Sequence, residues 1–378
     1  MKPENNKNIV SGIQPKKILV IKPSSLGDIL HTFPAVSIIA DNFPKAEIHW
    51  LANKSFSPLL QFHPNVTQTI EFPRKELGNP IKFPKYFLSL IRQLKSNKYD
   101  LVIDFQGLMR SAFFTKAAKA KQTVGFAKPR ESSAVFFYSK KIHIPENIQH
   151  AVERNVYLAC QALNINTDTF FYKQNKSSVA NIAFPKLNIN STLQSSVQKL
   201  LIQNGIQHND KIIGISPVTR WISKNWPPKF FAQVLFHIKK DFPNIKFVII
   251  GSENDQNAAN EIINNFSDND IVSLAGKTSV AQLFELIRTF DLLIANDSGP
   301  VHIASALSIP VFCMFGPTFP EKTGPYGNIH ENFIADINCA GCLKRKCIEH
   351  NYKCHQAISP EFVAEKIKIS EIFNINKK

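Results

Sequence analysis

The apolar residues in the first half of the chain fall into short runs separated by stretches of helical spacing. The runs at 17–22, 46–53 and 99–105 predict β-strands, and the last of these is nearly all apolar, as strands covered on both faces are. Helices are predicted between them, near 30–42, 85–97 and 108–120. Strands that alternate with helices indicate a parallel sheet built from right-handed crossovers.

The same alternation restarts in the second half. Five more strands are predicted, at 211–217, 246–252, 270–276, 291–297 and 309–316. Helices fit between them, near 228–240, 255–265, 279–289 and 300–307. The expected fold class is therefore α/β, with two doubly wound domains in tandem. In such sheets ligands bind at the carboxyl ends of strands, and a cleft between two domains is the first place to expect a site.

A polar, weakly patterned segment separates the two halves. We place the linker at 178–195, which gives an N-terminal domain of residues 1–177 and a C-terminal domain of residues 196–358. A last helix is expected within 359–378, where it could pack on either domain. A chain of 378 residues is too long for one ordinary core and suits two domains.

The chain carries no evident membrane or export signal. It has no run of about 18 consecutive apolar residues, the length that predicts a transmembrane helix. Its first 17 residues are polar and lack the apolar core of a signal peptide. A cytoplasmic location is therefore the expectation.

The positive charge of the chain is uneven. The net charge is +16, and residues 1–180 hold 25 Lys and Arg against 12 Asp and Glu, a net of +13. A field of that sign attracts nucleic acid, anionic lipid or a phosphorylated substrate, although it also serves plain solubility. No recognisable nucleic-acid-binding module accompanies it, so we expect no nucleic-acid partner.

The basic surplus is densest at 71–141, which holds 15 Lys and Arg against 5 Asp and Glu. Within it, the segment 79–98 interleaves basic with apolar and aromatic residues. Such a segment suits an anionic membrane surface, and it equally suits an amphipathic helix whose apolar face is core. We expect a mixture, with Leu88, Ile91 and Leu94 pointing inward and the basic residues facing an acidic acceptor.

The stretch "LLIANDSGPVHIASAL" (292–307) has the pattern of a strand, a turn and a helix that begins near Pro300. Asp297 or Ser298 can cap that helix, and Gly299 lets an anion approach the backbone. Free N–H groups and the helix dipole make such a turn an anion site, with His302 within reach on the first helical turn. An ordinary capped helix explains the same residues equally well.

Two further loops follow predicted strands. The first holds Thr219, Arg220 and Lys224. The cations of Arg220 and Lys224 can neutralise a diphosphate leaving group. The second holds Glu253, and a carboxylate in that place can bind the hydroxyls of a ribose. A solvated loop and a surface turn are the simpler alternatives. No convincing magnesium site emerges, because "AGKT" (275–278) lacks the first glycine of a Walker loop.

Four cysteines cluster near the end of the second domain, at Cys339, Cys342, Cys347 and Cys354. Four thiolates can close a tetrahedral zinc site, for which we expect a structural role. Reduced cysteines without a metal are the alternative, and disulfides are not expected in a reducing cytoplasm.

These motifs together resemble glycosyltransferase family 9, the ADP-heptose lipopolysaccharide heptosyltransferases. The matching segments are in order and span residues 17–327: "KILVIKPSSLGDILHTFPAV", "YDLVIDFQGLMRSA", "VGFAKPRESSAVFFYSKKI", "HAVERNVYLA", "SKNWPPKFFAQV", "NDSGPVHIASAL" and "MFGPTFPEKTGPYG". The third and fourth segments look most like heptosyltransferase I, which adds the first heptose to the Kdo of the inner core.

The resemblance implies a GT-B fold of two facing Rossmann-like domains and an inverting transfer that requires no metal cofactor. It implies that the C-terminal helix crosses back to the first domain. Asp28 is implied as the general base, with an acceptor site in the first domain that comprises Ser25, Gly27, Lys128, Arg130 and Arg154. The implied donor residues are Thr219, Arg220, Lys224, Glu253, Thr278, Asp297, Ser298, Gly299 and His302.

The expected function is therefore transfer of heptose from ADP-L-glycero-D-manno-heptose to the Kdo of Kdo-lipid A. The expected partners are an ADP-sugar, an anionic glycolipid acceptor and the inner leaflet of the cytoplasmic membrane, on which the enzyme would be peripheral. A later-acting heptosyltransferase, or a family member that uses another nucleotide sugar, is the alternative within enzymes. A catalytically dead protein that binds an anionic surface or nucleic acid is the alternative outside them.

Overall fold

A computed structural model describes residues 14–174, 177–266, 270–347 and 351–370 of the chain. The chain divides into two compact units, Met1–Asn188 and Ile189–Lys378. The division falls inside the segment predicted as a linker. That segment is not without structure, however, because it contains a strand and the start of a helix.

The first unit is built on a six-stranded parallel sheet. Its strands are β1 (Lys17–Ile21), β2 (Glu47–Asn53), β3 (Gln68–Phe72), β4 (Leu101–Asp104), β5 (Gln122–Phe126) and β6 (Lys140–Ile142), in the order β3-β2-β1-β4-β5-β6. Its helices are α1 (Leu26–Leu30), α2 (Phe33–Asn42), α3 (Arg74–Leu77), α4 (Phe83–Ser96), α5 (Met109–Ala117) and α6 (Ala151–Leu163). An antiparallel pair, β7 (Phe171–Gln174) and β8 (Ser177–Ala180), follows α6.

The apolar run that opens the chain forms the centre of this sheet. Residues Ile18 to Ile21 are fully buried, and β1 pairs in parallel with both β2 and β4. Helix α4 contributes Leu90 and Leu94 to the core on one side of the sheet. The expectation that Leu88 points inward was wrong, because half of its surface is exposed. Helical spacing places Leu88 away from the buried pair, so the basic face of α4 also carries an apolar side chain.

The second unit repeats the same plan. Its strands are β9 (Lys211–Ser216), β10 (Ile245–Ile249), β11 (Ile271–Ser273), β12 (Leu292–Asn296), β13 (Val311–Phe315) and β14 (Glu331–Ile334), in the order β11-β10-β9-β12-β13-β14. Its helices are α7 (Ser191–Gln203), α8 (Pro228–Asp241), α9 (Gln256–Phe266), α10 (Val280–Ile287), α11 (Gly299–Ala306), α12 (Pro320–Thr323), α13 (Lys353–Gln356) and α14 (Pro360–Ile369).

The last helix belongs to the core of the second unit. Helix α14 packs on α8, and its buried Val363 and Ile367 join the core cluster that contains Trp226 and Phe231. The implied crossing of the C-terminal helix back to the first domain stays a prediction. The apolar stripe of α14 is used within its own unit, and the predicted helix region beyond residue 370 lies outside the described residues.

Both sheets have the same topological switch point. In the first, the chain moves outward from β1 through β2 and then crosses to β4 on the other side. In the second, β9 and β12 stand in the same relation. The carboxyl ends of such neighbouring strands diverge and leave a crevice for a ligand. Within the described part of the chain, no helix is both long and apolar enough to span a bilayer.

Candidate active site

A lysine and an aspartate meet at the switch point of the second sheet. Lys224 lies in the loop after β9, and Asp297 directly follows β12, the neighbouring strand. The Nζ atom of Lys224 is 2.5 Å from Oδ2 of Asp297, and both side chains are largely buried. An ammonium fixed in this way beside a helix start is suited to bind a diphosphate. The two residues were predicted as donor ligands from separate motifs, and the sheet brings them together.

Two polar residues that the sequence analysis did not select hold this pair in place. Thr318, in the loop after β13, donates its hydroxyl to Oδ2 of Asp297 at 2.7 Å. The buried Asn296 accepts a hydrogen bond from the main-chain N–H of Trp226 and donates one to the carbonyl oxygen of Pro217. The loop after β9 is therefore tied at both ends to β12. The sequence signal for them was their position, with Asn296 at the end of one strand and Thr318 shortly after the next.

A helix begins where the sequence predicted one, at the turn expected to bind an anion. Ser298 is the N-cap residue, Gly299 is the first helical residue, and Pro300 lies in the first turn. The hydroxyl of Ser298 is 3.3 Å from that of Ser216, the last residue of β9. His302 lies on the same helix and is mostly buried. The helix start thus faces the end of β9, where a phosphate is expected.

The loop after β9 is folded by its own side chains. The main-chain N–H of Thr219 donates to Oδ1 of Asn225 at 2.8 Å, and its hydroxyl donates to the carbonyl oxygen of Trp221 at 2.8 Å. Nζ of Lys224 lies 5.0 Å from the ring centroid of Trp221. Arg220 is exposed at the tip of this loop. Thr219 therefore shapes the loop, whereas Arg220 is exposed to solvent, where a ligand can recruit it.

A tight turn places Gly276, two residues before Thr278, against Glu253. Glu253 is exposed after β10, and the "AGKT" segment follows β11, the next strand in the sheet. Gly276 has a φ of +77°, and a Cβ atom there would lie 3.0 Å from the Cα atom of Glu253. Only glycine suits both the conformation and the contact. The segment that mimics a Walker loop thus shapes the predicted ribose and adenine region.

The four-cysteine segment supports the loop that carries Lys224. Nε2 of the buried His355 lies 2.8 Å from the carbonyl oxygen of Ser223, and the hydroxyl of Ser223 donates to the carbonyl oxygen of Lys344 at 2.7 Å. A Cβ atom on Gly316 would lie 3.0 Å from Sγ of Cys354. The segment therefore fills the space between the loop after β9 and the end of β13.

The fit of a metal to this segment is poor in the described residues. Burial raises the pKa of the Cys354 thiol, and the nearby Cys339, Cys347 and Cys342 raise it further. Nevertheless, in residues 14–174, 177–266, 270–347 and 351–370 no three His, Cys, Asp or Glu side chains are grouped so as to hold a metal ion. The zinc site remains a prediction, which elemental analysis of the purified protein tests, with one equivalent supporting it and none excluding it.

In the first unit, Asp28 lies in the short helix after β1. Its Oδ2 accepts hydrogen bonds from the main-chain N–H of Ser25 at 2.8 Å and from the Ser25 hydroxyl at 2.7 Å. Its Oδ1 lies 3.9 Å from Nζ of Lys22. The Asp28 side chain keeps 42 % of its surface exposed, and Gly27 beside it is buried. These contacts orient a carboxylate that a substrate can reach.

Lys22 is a residue of this site that the sequence analysis missed. Its side chain is buried, and its Nζ donates to the carbonyl oxygen of Phe105 at 2.8 Å. Lys22 follows β1 and Phe105 follows β4, so the lysine spans the switch point of the first sheet. Burying an ammonium costs free energy unless it is paired with a polar partner. The burial of Lys22 therefore indicates a specific role beside Asp28.

Helix α6 carries the predicted acceptor residue Arg154 and is bonded to the segment that follows Asp28. Nδ2 of the buried Asn155 donates to the carbonyl oxygen of His31 at 3.1 Å, three residues beyond Asp28. The neighbouring Arg154 has its guanidinium 5.7 Å from the ring centroid of Phe126, the last residue of β5. Burial lowers the pKa of Arg154 from its ordinary value, which marks a poorly hydrated cation. Lys128 and Arg130 are exposed in the loop that follows β5.

The match to known proteins decides the family. The model of glycosyltransferase family 9 (heptosyltransferase) matches residues 87–353, well over half of the chain. This chain belongs to glycosyltransferase family 9. It is therefore a glycosyltransferase enzyme, and the resemblance identified from its motifs is confirmed.

The similar proteins include heptosyltransferases that bear different numbers in their names. The chain is 27 % identical to lipopolysaccharide heptosyltransferase 1 of Pseudomonas aeruginosa, over 88 % of this chain and 87 % of the relative. It is 27 % identical to lipooligosaccharide heptosyltransferase 2 of Campylobacter jejuni, over 93 % and 98 %. A solved structure of the E. coli heptosyltransferase WaaC with ADP-2-deoxy-2-fluoro heptose superposes with a TM-score of 0.70 at 21 % identity, covering 93 % of this chain and 99 % of that one. These likenesses establish a GT-B fold for this family 9 chain.

Proposed function

We propose that this family 9 enzyme transfers heptose from ADP-L-glycero-D-manno-heptose to the Kdo of Kdo-lipid A in the lipopolysaccharide inner core. The likeness to a heptosyltransferase 1 over most of both chains supports the step. The observation that carries the acceptor is Arg154, on helix α6, which Asn155 bonds to His31 just after Asp28, with Lys128 and Arg130 exposed in the loop after β5. Cations in that place suit a sugar that bears a carboxylate, as Kdo does.

The proposed reaction is a single inverting displacement. The Asp28 carboxylate accepts the proton of the acceptor hydroxyl while its oxygen forms a bond to the anomeric carbon of the donor. The bond from that carbon to the phosphate oxygen breaks, and ADP leaves with the electron pair. The ammonium of Lys224 and the N–H groups at the start of α11 stabilise the charge on the departing diphosphate. The carbohydrate product and ADP are released, and Asp28 returns its proton to water.

The other donor residues have supporting roles in this proposal. Thr219 shapes the loop that presents Lys224, and Arg220 reaches the diphosphate from the loop tip. Glu253 binds the ribose hydroxyls, with Thr278 near the adenine. His302 and Ser298 complete the anion site at the start of α11. The enzyme is expected to work in the cytoplasm, peripheral to the inner leaflet, because lipid A anchors the acceptor in a bilayer.

A comparison of two acceptors tests the proposal. Purified enzyme is given ADP-heptose with either Kdo-lipid A or Kdo-lipid A that already carries one heptose, and ADP release is measured. Turnover with the first acceptor and not with the second is expected. Turnover only with the heptosylated acceptor would assign the enzyme to a later step, and exchange of ADP-heptose for other nucleotide sugars would test the donor in the same assay.

A further inference from the structure

Helices α4 and α5 share an exposed surface that is both aromatic and basic. The rings of Phe83 and Phe87 stack at 5.0 Å between centroids, and those of Phe87 and Phe113 stack at 5.6 Å. Phe83 and Phe113 are nevertheless 41 % and 40 % exposed. The stack therefore joins two exposed rings, one from each helix, into a continuous apolar surface.

The same surface extends along the outer face of α5. Met109 and Phe113 are four residues apart and so lie on one side of this helix, with Arg110 and Lys116 beside them. All four are exposed, whereas Ala112 and Thr115 between them are buried. Ile81, in the turn before α4, is 90 % exposed. We refer to Ile81, Phe83, Met109, Arg110, Phe113 and Lys116 as the α4–α5 surface.

The charge of this surface limits its partner. Among the ion pairs of the described residues, none involves Arg110, Lys116 or Lys82, which precedes α4. Arg110 does lie over the ring of Phe72, 5.9 Å from its centroid, but it remains exposed. Exposed cations that form no ion pair, set around exposed rings and methionine, are typical of a surface that lies in the headgroup region of an anionic bilayer. A protein partner would need a complementary acidic surface, which the basic excess of the first 180 residues does not offer in a second copy of this chain.

The α4–α5 surface also adjoins the acceptor residues. The main-chain N–H of Met109 donates to Oε2 of Glu131 at 2.7 Å, and Glu131 follows Arg130 in the chain. Gly107, two residues before α5, has a φ of +66°, and a Cβ atom there would lie 3.3 Å from the main-chain nitrogen of Arg130. The start of α5 and the loop that carries Arg130 are therefore fixed to each other.

We propose that the α4–α5 surface docks this enzyme on an anionic bilayer. Phe83, Met109 and Phe113 enter the region between headgroups and acyl chains, while Arg110 and Lys116 contact lipid phosphates. Docking there places the acceptor residues at the level where a lipid-anchored sugar emerges. The inference rests on the proposed function for its purpose, because only a lipid-borne acceptor gives the contact a use.

Vesicle flotation tests the docking without any substrate. The wild-type enzyme is expected to float with vesicles that contain phosphatidylglycerol, and much less with pure phosphatidylcholine. The variant with Phe83→Ser, Met109→Ser and Phe113→Ser is expected to lose about tenfold or more in partitioning. The variant with Arg110→Gln and Lys116→Gln is expected to lose binding that depends on the anionic lipid. The matched control carries Phe236→Ser and Ile202→Ser, two exposed apolar residues of the second unit, and should float like wild type.

Activity on two forms of acceptor separates this inference from the proposed function. The variant with Phe83→Ser, Met109→Ser and Phe113→Ser is called the serine variant. It should keep wild-type turnover with a deacylated, water-soluble Kdo acceptor and lose turnover with the acylated acceptor in vesicles. Unchanged flotation of the serine variant, or equal flotation of the control and the serine variant, would overturn the docking surface. Dimerisation of the wild type that the serine variant abolishes would assign the surface to a second copy instead. If no Kdo acceptor reacts but flotation behaves as expected, the proposed function fails and the docking surface stands.

Discussion

The side chains of Lys224 and Asp297 form an ion pair 2.5 Å long across the two central strands of the second sheet. This pair holds the ammonium in position before the donor binds. We expect Lys224→Met to lower kcat/KM for ADP-heptose by about 10²- to 10³-fold, because a preorganised cation stabilises the leaving diphosphate. Steady-state kinetics with ADP release measure the effect. Lys240→Met, which removes an exposed lysine from α8, is the control and should be silent.

The hydroxyl of Thr318 provides a subtler test of the same pair. Thr318→Val keeps the side-chain shape and removes the hydrogen bond to Asp297, so Lys224 should lose part of its orientation. A loss of about 1 kcal/mol in ADP binding is expected, the ordinary worth of one such bond. Calorimetric titration of ADP measures it. Thr318→Ser keeps the hydroxyl and should restore the affinity, whereas equal affinities in all three proteins would contradict the role of Thr318.

Asp28 should affect chemistry without affecting donor affinity. Asp28→Asn keeps the size of the side chain but cannot take the proton, so kcat should fall by about 10²-fold or more. The Kd for ADP should stay at the wild-type value, because Lys224 and α11 belong to the other unit. Ser25→Ala, which removes one donor to the carboxylate, should cost less. An Asp28→Asn enzyme with normal kcat would refute the assignment of the base.

The paired strands of each sheet were the part of the fold that the sequence revealed most clearly. Eight apolar runs became eight strands because a strand covered on both faces must be apolar along its length. The strands missed were shorter or closer to an edge, such as β3 and β14, where alternate residues face water. Helix α7 was missed because much of its surface is polar, and its first residues, 191–195, were assigned to the linker.

For the candidate site, the sequence revealed residues in short local motifs and missed residues whose partners are distant in the chain. Asp28, Asp297 and Ser298 were selected because each lies where a strand gives way to a helix, a pattern that short motifs record. Lys22, Thr318 and Asn155 were missed because their partners are far away in the sequence. Lys22, for example, bonds to Phe105, 83 residues further on. Only the order of strands in the sheet could have placed these partners together.

Two buried histidines should make stability sensitive to acid. Burial lowers the pKa of both His63 and His355 to about 4, against an ordinary value of 6.5. Below pH 6.5 these side chains take up protons in the unfolded chain but not in the folded one. The free energy of unfolding should therefore decrease as the pH falls from about 6.5 towards 4, by up to roughly 3 kcal/mol for each imidazole.

Urea unfolding at several pH values measures this loss. His355→Gln can still donate to the carbonyl oxygen of Ser223 and cannot titrate, so its unfolding free energy should depend less on pH than that of the wild type. His208→Gln removes an exposed histidine and serves as the control. A wild-type unfolding free energy that stays constant between pH 6.5 and 4.5 would contradict the expectation.

Each unit completes its own sheet and its own core, and each carries one half of the proposed chemistry. The residues assigned to the donor all lie after residue 188, and those assigned to the acceptor all lie before it. Natural selection can therefore alter the preference for one substrate while leaving the residues for the other intact. A gene for such an enzyme can be duplicated and one copy retuned to a new acceptor, which offers a simple origin for a family whose members include heptosyltransferases 1, 2 and 3.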